Sequence, residues 1–270
     1  MSENRRNERM SVIMTLLTRY GEVEVHTLPA LLNVSGPTVR RDLALMEEKG
    51  LLLRSYGKIA AARQSAEMPV SFRHARNTEA KQRIGALASS LIPHRPLTLA
   101  LSGGSTVRFV AQHLAGRAGL TVVTNGLDTV DSLLTRQLVQ VVVTGGQARP
   151  SSRELVGRGA ERTLRSYRFD YVVIGVDGIS PEKGLTRHSD RGAEVDRVML
   201  EQADHAIVVA DSSKIGRVHR AKIADTVAVD NIVTDSHANA GVVARLRDSG
   251  VTTTLVVVPP LKPGALPRAR

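Results

Sequence analysis

The sequence contains no cysteine. Disulfides and thiolate metal sites are therefore excluded, and a reducing compartment suits the chain. No apolar run reaches the roughly 18 to 20 residues that a membrane helix needs. The opening MSENRRNERMS is charged and holds no apolar signal segment. These absences predict a soluble, cytoplasmic protein with no membrane association. There is no internal repeat and no long low-complexity segment; only the end, PPLKPGALPRAR, is biased, and residues 259–270 are expected to form a frayed tail.

What is present sets the remaining limits. A length of 270 residues allows a sizeable core in one large domain or two unequal ones. The formal charge is +11 and the isoelectric point is near 10.6. Residues 1–63 hold 10 Lys/Arg and 7 Asp/Glu, a net +3, so +8 falls on the remainder. Excess charge of this kind fits a nucleic acid, a phosphorylated ligand or plain solubility.

The amino end carries helical signals in close succession. Met10, Ile13, Met14, Leu16 and Leu17 fall at helical spacing and stop at Tyr20-Gly21. HTLPALLN is a short second helix, with Thr27 as N-cap and Asn33 at its end; Pro29 requires a start near Thr27. A third helix starts at Ser35, whose side chain is expected to cap it, and Pro37 fits its first turn. Val39, Leu43 and Met46 share one face, while Thr38, Arg40 and Arg41 lie elsewhere around it. After Gly50, LLLRSYGKIA reads as two strands turning at Tyr56-Gly57, with Arg54 and Lys58 beside the turn. Three helices and a basic hairpin make a winged helix-turn-helix over residues 1–60. Such a unit sets its third helix in the major groove and its wing on phosphate, so the DNA-binding set is Ser35, Pro37, Thr38, Arg40, Arg41, Arg54 and Lys58. A solvated helix face followed by an ordinary hairpin is the alternative.

Small and polar residues follow, and 61–76 is expected to be a linker. Over 77–258 a helical run, NTEAKQRIGALASSLI, precedes short β-branched strands alternating with helices. The strands are LTLAL, LTVVT, LVQVVVT, DYVVIGV, HAIVVAD, VAVDNIVT and TTTLVVV. This alternation predicts an α/β domain with a mostly parallel, buried sheet. Ligands of open α/β sheets bind outside the carboxyl ends of the strands, so the loops there should converge on one crevice.

Those loops are small and rich in hydroxyls, which suits a phosphorylated polyol. The effector-binding set is Gly103, Gly104, Ser105 and Thr106 in the first loop, then Thr124 and Asn125, Gly145 and Gly146, Asp177 and Gly178, and Glu194 and Lys214. The helix after Thr106 would point its positive end at a phosphate, and Lys214 would supply charge. Ordinary turns, a capping role for Asp177 and a surface position for Glu194 are the plain alternatives. The arginines at 149, 153, 158, 162, 165 and 168 read as a solvated or subunit-contacting helix. No catalytic set, metal site or cofactor is expected.

The stretch Val34 to Lys58, followed by PVSFRHARNTEAKQRIGALASSLI, VVVTGGQARPSSRELVG, YVVIGVDGISPEKGLT and ADSSKIG, resembles the DeoR family of bacterial transcription regulators over roughly residues 5–258. The resemblance implies a winged helix bound to an operator and a sensor domain like ribose-5-phosphate isomerase and sugar-phosphate deaminases. It also implies release from DNA by a phosphorylated sugar, and a homo-oligomer, dimer or tetramer. Ser102 stands where relatives usually carry Asp. Arg187, His188 and Arg191 stand where relatives are less basic, pointing to an additional anionic group on the ligand or to a surface loop. An isomerase or deaminase using Asp177, His188, Glu194 and Lys214, or a DNA-associated protein with an empty pocket, are the competing readings.

Overall fold

Helical spacing at the amino end and β-branched runs farther on fold into two separate units, Met1–Arg76 and Asn77–Val258. The computed structural model describes residues 2–62 and 67–259, apart from the side chains of residues 2–4, 18 and 19. Of the expected tail, 259–270, all but Pro259 lies outside the described residues.

In the first unit, α1 (Ser2–Tyr20) is followed by β1 (Glu22–Glu24), a 3-10 turn, α2 (Leu28–Leu32) and α3 (Gly36–Glu48). The second helix does start late, with Pro29 in its first turn, and Asn33 ends it at φ 51 in the left-handed region that Asn tolerates. Strands β2 (Leu52–Ser55) and β3 (Lys58–Ala61) turn through Tyr56 and Gly57, both at positive φ. The hairpin gains a third strand, because β1 pairs antiparallel with β3 to give the order β1-β3-β2. Met10, Ile13, Leu28, Val39, Leu43, Met46 and Ile59 make one buried core.

Residues 61–76 are not simply a linker. Val70–Ala75 form a helix, α4, and Phe72 from it is buried in that same core. The phenyl ring offers enough apolar surface to hold a six-residue helix on the bundle, which a reading of small polar residues could not register.

The second unit opens with α5 (Thr78–Ser90). Its remaining elements are, in order, β4 (Leu97–Leu101), α6 (Val107–Leu114), β5 (Leu120–Thr124), α7 (Leu127–Leu133), β6 (Gln140–Val143), β7 (Gln147–Arg149), β8 (Glu154–Val156), α8 (Arg158–Arg165), β9 (Phe169–Gly175), β10 (Gly178–Ser180), β11 (Gly184–Arg187), α9 (Asp190–Glu201), β12 (Ala203–Val209), β13 (Ala221–Ala224), β14 (Asn231–Asp235), α10 (Ala240–Asp248) and β15 (Thr252–Val256). Seven strands form one sheet in the order β15-β14-β12-β9-β4-β5-β6, and every pairing in it is parallel. Helices cover both faces, so the central strands β4, β5 and β9 are mostly buried on both sides, whereas the edge strands β6 and β15 are largely not. A small antiparallel sheet, β10-β11-β13, and the β7-β8 hairpin sit beyond the main sheet. No helix among the described residues is long and apolar enough to cross a membrane.

Candidate functional site

In the first unit, α3 presents Arg40 and Arg41 to solvent, while Val39, Leu43 and Met46 face the core. Asp42 is also buried, held by Arg9 at 2.7 Å, and thus ties α3 to α1. Pro37 lies in the first turn as expected. Ser35 is the N-cap by position, yet its side chain makes no capping bond. Its hydroxyl lies 2.9 Å from that of Thr38 instead. Arg54 donates to the carbonyl of Arg40 (3.1 Å) and pairs with Glu47, so the wing is braced against the end of α3. Lys58 pairs with Glu22 of β1 at 2.6 Å, which raises its pKa. Tyr56, at the wing tip, is completely exposed.

In the second unit the carboxyl ends of β4, β5 and β9 converge with β8. The Ser102 hydroxyl donates to the carbonyl of Gly103 (3.1 Å) and accepts from the amide of Gly175 (3.0 Å), joining the ends of β4 and β9. A Cβ on Gly126 would come within 2.5 Å of Gly103 Cα, and one on Gly103 within 2.4 Å of the Glu154 side chain. Gly103 is thus required by packing. Gly104 differs: it sits at φ 119, and a Cβ there would meet nothing within 4 Å. Ser105 and Thr106 are buried ahead of α6. Thr124 accepts from the amide of Gly126 (3.0 Å), and Asn125 donates to the carbonyl of Leu155 (3.0 Å).

Beneath these loops lies a buried charge cluster. Arg187 donates to both oxygens of Glu154 at 2.9 Å, to the carbonyl of Gly175 (3.1 Å) and to Asp196 (3.2 Å). Burial opposes the charge on Arg187, but Asp196 and Glu154 outweigh it and raise its pKa. For Asp196, burial prevails over the attraction of Arg187 and pushes the carboxyl up to about 7. Arg187 is therefore an internal counter-ion, not a side chain offered on a surface loop. Of its neighbours, Arg191 is exposed and donates to Gln147 (2.6 Å), while the His188 ring lies against that of His219, with centroids 3.8 Å apart. Burial lowers the pKa of His219.

Asp177 accepts from the amide of His188 (3.1 Å) and lies 3.9 Å from Lys214, so these two expected residues do meet. Lys214 sits on a 3-10 turn, Ser212–Lys214, capped by Asp211. Lys81 of α5 is buried 3.7 Å from Asp211, and Asn77 donates to the same carboxylate (2.9 Å). Burial works against the charge of Asp211, yet Lys81, Lys214 and these hydrogen bonds hold its pKa down to about 2.

Four expected residues fall outside this cluster. Glu194 pairs with Arg197, which also donates to main-chain oxygens of Ile223 and Lys222. Gly145 and Gly146 belong to a packing turn: a Cβ on Gly146 would come within 2.6 Å of the Val156 carbonyl, and Gly145 faces Gly159. Gly178 is likewise required by the close approach of Arg217. The arginines from 149 to 168 do not form one helix, since only Arg158, Arg162 and Arg165 lie on α8. Lys81, Glu154 and Asp196 are not among the residues expected from the sequence, because each is buried by partners far along the chain. Among the described residues no group of His, Asp and Glu could hold a metal ion.

A model of the DeoR C-terminal sensor domain matches residues 76–236, and one of the DeoR-like helix-turn-helix domain matches residues 9–65. The chain belongs to the DeoR family. As a DeoR-family member it is a DNA-binding transcription regulator, not an enzyme. It is 35% identical to a protein of Escherichia coli O157:H7 named "Putative aga operon transcriptional repressor", over 93% of this chain and 94% of that one. It is 32% identical to the HTH-type transcriptional repressor GlcR of Bacillus subtilis, over 90% and 94%, and 28% identical to the glycerol-3-phosphate regulon repressor of Escherichia coli K12, over 93% and 99%. Among solved structures, ribose 5-phosphate isomerase A of Methanocaldococcus jannaschii overlaps 51% of this chain and 54% of its own at a TM-score of 0.39 and 15% identity.

Proposed function

We propose that this DeoR-family protein represses a carbohydrate-catabolism operon and is released from its operator by a phosphorylated sugar. The double-stranded operator is read by Thr38, Arg40 and Arg41 of α3 and held by Arg54 and Lys58 of the wing. The sugar phosphate takes the loops at the carboxyl ends of β4, β5 and β9, and the protein acts in the cytoplasm as a dimer or tetramer.

Gly104 carries the effector reading. Its left-handed backbone and the open space in front of it leave room for a group against the main chain ahead of α6, with Ser105, Thr106, Asn125, Asp177 and Lys214 in the loops around. The relative named for glycerol-3-phosphate supports a phosphorylated effector class. Released and bound states must differ in affinity for the sugar, and the coupling is reciprocal. Pentose and hexose phosphates titrated into an operator complex should therefore dissociate the wild type. Gly104→Val and Lys214→Met should stay bound, Lys214→Met with a flatter salt dependence of effector affinity. Normal release of both variants places the ligand elsewhere.

A further inference from the structure

The excess charge of the second unit is concentrated in one place. Residues 77–258 hold 22 Lys/Arg and 18 Asp/Glu, of which 6 and 2 lie within 147–168, so the rest balances at 16 against 16. Most of these six arginines are answered internally. Arg149 lies 3.9 Å from Glu154, Arg153 bonds Asp128 and Asp131, Arg165 bonds Glu201, and Arg168 lies 4.0 Å from Asp204. Arg158 and Arg162 are exposed, and neither forms an ion pair among the described residues.

With Arg165 they stand at i, i+4 and i+7 on one face of α8, around a surface cleft of about 480 Å³ lined also by Glu161 and Ser166. Helix stability does not account for this pattern. Like charges at i, i+4 repel. Arg162 and Arg165 suit the negative end of the helix dipole, but Arg158 is the first residue of α8 and sits at the positive end. Arg158, and its place one turn from Arg162, is thus unfavourable for the helix itself, as befits a side chain that meets an anion from outside.

We infer that the arginine face of α8 is a second, sequence-independent phosphate-binding surface, which takes the DNA duplex flanking the operator. This rests on the reading that the first unit binds duplex DNA. Guanidinium groups match phosphate oxygens in pairs. A duplex carries one negative charge per roughly 1.7 Å of its axis, so several exposed arginines can each meet a phosphate and their individually weak interactions add. A small anion would want a buried anchor, whereas these three arginines are exposed; a second copy would need an acidic face, and the rest of this unit is balanced in charge.

Full-length protein, an Arg158→Gln/Arg162→Gln variant and an Arg158→Lys/Arg162→Lys variant should be titrated with a random-sequence duplex of about 60 base pairs across a salt series, with sedimentation of the free proteins alongside. The Gln variant is expected to bind more weakly, with the slope of log K against log[salt] shallower by about 0.9 for each phosphate it no longer neutralises. The Lys variant should keep most of the wild-type slope, which separates loss of charge from loss of fold. An unchanged slope for the Gln variant overturns the inference while leaving the DNA reading intact. So does an unchanged slope with altered sedimentation, which would assign the face to a second copy. A wild type with no affinity for any duplex removes both.

Discussion

The wing of the first unit and the loop cluster of the second use opposite kinds of ion pair. On the wing, Lys58–Glu22 and Arg54–Glu47 lie in solvent, with side chains 47% and 60%, and 32% and 46%, exposed. Beneath the loops of the sensor unit, Arg187 with Glu154 and Asp196, and Lys81 with Asp211, are all at most 6% exposed. An exposed pair adds little stability and its cation can leave for a phosphate. A buried one cannot be exchanged, because either partner alone would be a charge in an apolar surrounding. The reading surface is built from cations that can change partner; Arg187 and Lys81 beneath the crevice cannot, while Lys214, 24% exposed beside Asp177, stands between the two kinds.

Three measurements test that contrast. Arg187→Leu strands Glu154 and Asp196 and should destabilise the sensor unit by about 3 to 5 kcal/mol in urea unfolding. A much smaller loss would mean that the cluster is already wet or neutral. The next effect concerns acid. Asp211 has a folded pKa of about 2, below its ordinary 3.8. Its contribution is therefore present above about pH 4 and is lost as the pH falls toward 2, on the order of 2 kcal/mol in all. Lys81→Met should be less stable than wild type at pH 6, and the difference should narrow toward pH 3; a constant difference contradicts the pairing. Smallest is Lys58→Ala, which should leave the melting midpoint of the free protein unchanged and weaken all duplexes alike. Arg40→Ala, by contrast, should lose about 1 to 3 kcal/mol only on the preferred sequence. A shift in melting for Lys58→Ala would show that the wing pair belongs with the buried ones.

Much of this was legible in the sequence. The runs LTLAL and LTVVT appear unshifted as β4 and β5, since buried parallel strands are continuous apolar segments with clear ends. Pro29, Asn33, Gly50 and Gly57 marked their turns through backbone geometry that acts locally. What stayed hidden depends on partners far along the chain. β1 has three residues and exists because β3 pairs with it. Lys81 is buried because Asp211 lies 130 positions on, and no local pattern announces that. Glu194 and Asp196 sit two apart on α9, and only the packed structure decides that Asp196 faces Arg187 while Glu194 meets Arg197.

The strand order β15-β14-β12-β9-β4-β5-β6 has a consequence for how the protein is made. A chain leaving the ribosome delivers β4, β5 and β6 first, and these pair side by side as they emerge. β9 then joins the free flank of β4, and β12, β14 and β15 follow outward in the order of their synthesis. No strand has to be threaded between two already paired, so the nascent sheet grows by accretion at one open border. The Ser102 hydroxyl receives the amide of Gly175 only when β9 docks. An arrest of translation before residue 169 would therefore leave a three-stranded half-sheet whose loops, proposed above to hold the effector, are still unassembled.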